Sequence, residues 1–175
     1  MSYYVIDVES DGPIPNMYSM VCFGAVKIIP DLRKTDTFYG QTAPISDSYK
    51  SDALAISGFS RDEHKTFDDP FKVMTEFYEW IQKTNVGQAV FFSDNPAYDW
   101  QWINYYFHFY LGKNPFGWSA RRIGDIFSGY EKTLFSDWKK YRITKHSHHP
   151  VDDAMSNAEA FLKLYEYGIK MKKLK

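Results

Sequence analysis

The stretch VIDVE, residues 5–9, does most to limit what this chain can become. It lies in YYVIDVE (3–9), a β-branched and aromatic-rich run that reads as a strand and ends in the turn residues SDGPIP. Side chains two apart on a strand share a face. Asp7 and Glu9, the only Asp-x-Glu pair in the chain, therefore point the same way. Their neighbours Val5, Ile6 and Val8 mark the strand as buried. Two carboxylates so close repel each other unless a cation lies between them, and a buried acid without a partner is costly. The pair points to a metal site more than to two solvated acids on an exposed strand.

The surrounding pattern is that of an α/β chain. MVCFGAVKII (20–29) is a long apolar strand, and TFYGQT (37–42) is placed to pair with it. DPFKVMTEFYEWIQK (69–83) has a helical period, with Phe71, Met74, Phe77, Tyr78 and Ile81 on one face. QAVFFSD (88–94) is a further strand. NPAYDWQWINYYFHFYLG (95–112) is a helix with Asn95 as N-cap, Pro96 in the first position and Gly112 at the end. SARRIGDIFSGY (119–130) is a short strand running into a helix, and PVDDAMSNAEAFLKLYEYG (150–168) is the last helix. The basic tail IKMKKLK (169–175) frays or sits favourably at a helix C-terminus. Strands first, then strands alternating with helices, predict a mixed sheet between layers of helix.

Composition narrows the setting. A length of 175 residues with 44% hydrophobic residues suits one domain, 1–175, with a full core. Lys and Arg total 21 against 22 Asp and Glu, a net charge of −1 that excludes a broadly basic nucleic-acid coat but leaves room for a local patch. Cys22 is the one cysteine, so neither a disulfide framework nor a thiolate metal site is expected. With neither a signal peptide nor a membrane span in the sequence, a reducing, cytoplasmic setting is the expectation. Aromatics make up 19%, mostly to fill the core, with a few left as stacking platforms for bases.

Two helix starts carry further acids. NPAYD ends in Asp99 and HPVDD in Asp153, each three residues after the opening proline. Both carboxylates fall in a first turn, where the helix dipole favours negative charge. In the last helix Ala154, Ala158, Phe161, Leu162 and Tyr165 form an apolar stripe, with Asp153 at its edge. Asp152 lies opposite with Ser156, Glu159 and Lys163 on a solvated face. The preceding loop, HSHH (146–149), lacks the one-turn spacing of a helical zinc pair, so a zinc cage is not expected. His149 is held extended by Pro150.

Taken in order, VIDVESDG, DNPAYD and HHPVDDA resemble the three motifs of the DEDDh branch of the DEDD 3′–5′ exonucleases, the type of RNase T, oligoribonuclease and the epsilon subunit of DNA polymerase III. The resemblance spans nearly the whole chain. It implies a ribonuclease-H-like fold, a mixed five-stranded sheet with an antiparallel second strand, flanked by helices, and SARRI as the fifth strand. It assigns Asp7 and Glu9 to the first motif, Asp99 to the second, and His148 and Asp153 to the third, which is His, four residues, Asp. Asp125 takes a supporting or structural role. The chain departs from the family in having Ser10, Asp11 and Gly12 where Thr-Thr-Gly is frequent, and Cys22 before Phe23, Gly24 and Ala25 where a Glu is frequent. Asp94 and Pro96 replace a frequent His and Ala in the second motif.

The resemblance implies hydrolysis of phosphodiester bonds from the 3′ end of single-stranded nucleic acid, RNA or DNA. Asp7, Glu9, Asp99 and Asp153 would hold two Mg²⁺ or Mn²⁺ ions, the hard cations that oxygen ligands select. His148 would be the general base. Ser10, Asp11, Met17, Tyr18 and Tyr98 are placed to touch terminal nucleotides, with Tyr98 equally suited to the core. Lys139, Lys140, Arg142 and Lys145 cluster just before the histidine loop, either as a stripe that tracks phosphates or as a solvated helix face. Two other readings remain open at this point: a phosphodiesterase for very short oligonucleotides, and a binding module without turnover. A homodimer, frequent among such relatives, is neither required nor excluded.

Overall fold

The computed structural model describes residues 1–170, so residues 171–175 of the basic tail lie outside the described residues. Five strands form one sheet: β1 (Ser2–Ser10), β2 (Met20–Lys27), β3 (Thr37–Gln41), β4 (Ala89–Ser93) and β5 (Ala120–Arg122). Their order is β3-β2-β1-β4-β5. β2 runs antiparallel to β1 and β3, while β4 is parallel to β1 and β5 to β4. The helices are α1 (Ser51–Ile56), α2 (Arg61–His64), α3 (Pro70–Thr84), α4 (Pro96–Leu111), α5 (Ile123–Glu131) and α6 (Pro150–Glu166).

Strand alternation sorts β1 between two cores. Tyr4, Ile6 and Val8 face α3 and α4, packing with Phe77, Ile81, Trp102 and Phe107. Tyr3 and Val5 face α5 and α6, packing with Phe127, Ala158, Phe161 and Leu164. Aromatic rings do fill these cores: Trp102, Tyr4, Tyr106, Phe23, Phe77 and Phe91 are fully buried. Asp7 and Glu9 continue the Tyr3–Val5 row onto the α6 side. Among the described residues, no helix is long and apolar enough to cross a membrane.

The helix faces differ from the sequence reading in three places. α3 buries Pro70, Val73, Met74, Phe77, Ile81 and Thr84, a line that leaves Phe71 54% exposed and takes Val73 in its place. α6 centres its buried face on Asn157, Ala160 and Leu164, so Tyr165 is exposed. Ser156 is buried rather than solvated, its hydroxyl donating to the Asp153 carbonyl at 2.9 Å. The segment between β3 and α3 holds α1 and α2, which have too little length to show a period. One readable signal was there: Ser60 and Glu63 form a capping box at α2.

Candidate active site

The site lies at the C-terminal ends of the parallel strands, where neighbouring connections diverge. β1 pairs with β4 only over Ser2–Val5. Beyond that the two strands separate, and the Val8 N–H donates instead to Asp99 Oδ1 at 3.2 Å. Asp99, in the first turn of α4, is thus held in the gap between the strands and is 4% exposed. On the other face, Gly24 of β2 stands opposite Asp7. A Cβ there would lie 2.4 Å from the backbone of Pro150 and Val151. The bare backbone lets α6 begin directly on the sheet, which brings Asp153, 2% exposed, over the first-strand acids. Asp7, Glu9 and Asp153 each offer an oxygen within 4.8 Å of the others.

These carboxyls hold their protons unusually tightly. Burial first, then the charges of Asp99, Glu9 and Asp153, push Asp7 well above the ordinary aspartate value. Burial and Asp153 raise Glu9 to about 7. Burial raises Asp99 to about 7 against the opposing hydrogen bonds from Ser93, Val8 and Asn95. A buried group of acids that resist ionisation is a donor set suited to a multivalent cation, which would take the place of those protons.

The histidine loop hangs from α6 by two carboxylates. Glu159 accepts from the N–H groups of Ile143 and Thr144 at 2.8 and 2.7 Å. Asp153 accepts from those of Ser147 and His148 at 3.0 and 3.1 Å. His148 takes a left-handed backbone, φ 60°, that sets its ring beside Glu9, with Nδ1 3.6 Å from Oε1. His146 Nδ1 is 2.8 Å from Asp153 Oδ2. His149 is turned away, stacked on Tyr39 at 4.9 Å and near the exposed Asp152.

Residues 2–165 match the 3′–5′ exoribonuclease Rv2179c-like domain family. The chain is also 33% identical over 166 residues to the 3′–5′ DNA exonuclease Cap18 of Escherichia coli, covering 89% of this chain and 87% of that protein. The chain belongs to the Rv2179c-like 3′–5′ exonuclease family. It is a 3′–5′ exonuclease, and its fold is the ribonuclease-H-like one of the DEDDh nucleases. The nuclease domain of 3′hExo, a DEDDh family member bound to rAMP, superposes with a TM-score of 0.79 at 16% identity, covering 98% of this chain and 94% of that one. E. coli exonuclease I in complex with a dA16 oligonucleotide gives a TM-score of 0.66 at 15% identity, over 95% of this chain and 42% of that one.

Within this exonuclease the substrate contacts expected from sequence fall out unevenly. Asp11 is not available to substrate. It is fully buried, accepting from the Ser19 N–H at 2.5 Å and from Arg61 Nη1 at 2.7 Å. This ion pair ties the loop after β1 to α2, and Arg61 also donates to the Ser46 carbonyl. Ser10 is 2% exposed, its hydroxyl donating to the Gly12 carbonyl at 2.6 Å and lying against the Tyr98 hydroxyl. Tyr98 is half-buried beside the acids, Tyr18 packs over Gly12, and Met17 is 55% exposed at the loop tip.

The basic cluster is not one stripe. Arg142 is mostly buried, paired with Asp94 at 3.0 Å and with Asn157 at 2.5 Å, and Lys139 reaches Asp94 at 2.6 Å. Lys140 and Lys145 are exposed. Asp94, at the family's frequent histidine position, is therefore an anchor for the segment before the histidine loop. Asp125 is a surface acid 3.4 Å from Arg122, whose Nε donates to the Asp94 carbonyl at 3.0 Å. Sequence reading missed Arg61 and Glu159. Neither position carries a local signal, because each acts on a partner 15 or 50 residues away.

Proposed function

We propose that this exonuclease removes nucleotides from the free 3′ end of single-stranded nucleic acid, with Asp7, Glu9, Asp99 and Asp153 holding two Mg²⁺ or Mn²⁺ ions and His148 as general base. The carrying observation is the convergence of four largely buried acids from β1, α4 and α6, three of which strongly retain their protons. Oxygen-only donors favour hard divalent ions over Zn²⁺. When bound, such ions stabilise charge on the phosphate and the leaving oxygen and acidify the attacking water.

The chain's own residues supply the rest. His148 is half-exposed beside Glu9, so its ring can accept a proton from a water entering over the acids. Asp153 fixes the loop that carries His148 through the backbone, leaving the imidazole free to move that proton. Tyr98, tied to Ser10 beside the acids, is the ring we assign to a terminal base. Lys140 and Lys145 supply positive charge to an approaching backbone without a broadly basic surface.

Support for a single-stranded substrate comes from exonuclease I, solved with a dA16 oligonucleotide, and support for 3′-end recognition from a 3′-exonuclease solved in 3′-end-specific recognition of a histone mRNA stem-loop. The family is named for RNA and the Cap18 relative for DNA, so both polymers are within its chemistry. The test is a set of 5′-labelled RNA and DNA strands of increasing length, with and without chelator. Stepwise shortening that stops in EDTA and returns with Mg²⁺ or Mn²⁺ is expected. Efficient cleavage of a circular single strand, or undiminished activity in excess chelator, would refute the reading. A preference for dinucleotides over longer strands would favour the short-oligonucleotide alternative.

A further inference from the structure

We propose that His146, His148 and Asp153 form a second kind of metal site, one for a borderline ion such as Zn²⁺, and that its occupation switches the exonuclease off. The inference rests on His148 being the general base. The three side chains each offer a ligand atom within 4.8 Å of the others. Asp153 is buried and already oriented by the Ser147 and His148 N–H groups, as metal-binding carboxylates usually are. His146 Nδ1 stands 2.8 Å from Asp153 Oδ2, and the two imidazole rings lie edge to face with centroids 4.5 Å apart. Both rings are half-exposed, so small side-chain rotations would bring their lone pairs onto one ion and leave a fourth position for water.

Ligand chemistry separates this site from the acid cluster beside it. Asp7, Glu9 and Asp153 offer oxygen alone, which suits Mg²⁺ or Mn²⁺. Two imidazoles and one carboxylate suit Zn²⁺, and Mg²⁺ competes poorly for nitrogen. Asp153 belongs to both groups. An ion on the histidines would hold the His148 lone pair, so that residue could no longer take a proton. The loop is pinned at one end by Glu159 and at the other by Asp153, so the two rings start near their bound positions. The His-x-His spacing hides the site in sequence, because the left-handed turn at His148, not a helix, brings the rings together.

Co²⁺ serves as the direct probe, since its visible absorption strengthens in a low-coordinate nitrogen site. Wild type, His146→Ala and His149→Ala would be titrated with Co²⁺, and each variant's rate measured with and without Zn²⁺ at saturating Mg²⁺. Taking the ratio within each variant removes any change in basal rate. The expected result is a Co²⁺ band and Zn²⁺ inhibition in wild type and His149→Ala. In His146→Ala the band is lost, and at least about tenfold more Zn²⁺ is needed for inhibition. Equal Co²⁺ spectra and equal Zn²⁺ sensitivity in wild type and His146→Ala would overturn the proposal. Absence of any Mg²⁺-supported cleavage would instead count against the nuclease mechanism, and the Co²⁺ titration would still decide the metal site.

Discussion

Replacing Glu9 by Gln should make the metal-free protein more stable at pH 8 and leave it unchanged near pH 4.5. Glu9 ionises near 7 in the fold, against an ordinary value of 4.5, because burial and Asp153 disfavour its charge. Below 4.5 both folded and unfolded chains carry the proton, and the residue contributes nothing to the pH dependence. Between 4.5 and 7 the folded chain keeps a proton that the unfolded chain has lost, so stability falls as pH rises. Above 7 the whole difference remains, about 3 kcal/mol at roughly 1.4 kcal/mol for each pH interval of one. For a chain of this size that corresponds to a Tm difference of about 6–12 °C. The amide keeps the shape and removes the charge. Thermal unfolding in EDTA at pH 5 and pH 8 gives the comparison, and a repeat with Mg²⁺ should raise wild type more than Glu9→Gln. If Glu9→Gln is the less stable protein at pH 8 in EDTA, or differs equally at both pH values, the acids are not in mutual conflict and the cation argument fails.

Further outcomes follow from the same geometry. His148→Ala should lower turnover by roughly 10²–10⁴ with binding of a 5′-labelled strand largely kept, whereas His149→Ala should cost far less. Asp153→Asn and Asp7→Asn should be inactive, and Asp152→Asn nearly silent, in a single-turnover cleavage assay. Gly24→Ala places a Cβ 2.4 Å from the Pro150 backbone. It should destabilise the protein by about 1–3 kcal/mol or more in denaturant titrations and displace Asp153, with activity falling alongside. Neutralising Lys140 and Lys145 should flatten the salt dependence of nucleic-acid binding, while Arg142→Ala should lower Tm instead, since Arg142 is committed to Asp94 and Asn157.

What the sequence made legible, and what it hid, divides by the range over which each residue acts. Periodicity and cap residues found all five strands and the four longer helices because those signals are local. They missed α1 and α2, which are shorter than two helical turns. The stripe on α6 placed Asp153 inward and Asp152 outward, as burial bears out, yet read Glu159 as solvated when it secures the histidine loop. Asp11 followed the first motif by two residues and was read as touching substrate. Its actual partner, Arg61, arrives from a helix whose capping box marks where it starts but not what it packs against. The histidines show the limit most sharply. Linear spacing separates His148 from His149 through Asp153, but it also makes His146 look irrelevant. Only the folded loop, hung between Glu159 and Asp153 with a left-handed turn at its end, returns His146 to the same carboxylate. Residues whose function depends on a turn are legible only once the turn's own anchors are known.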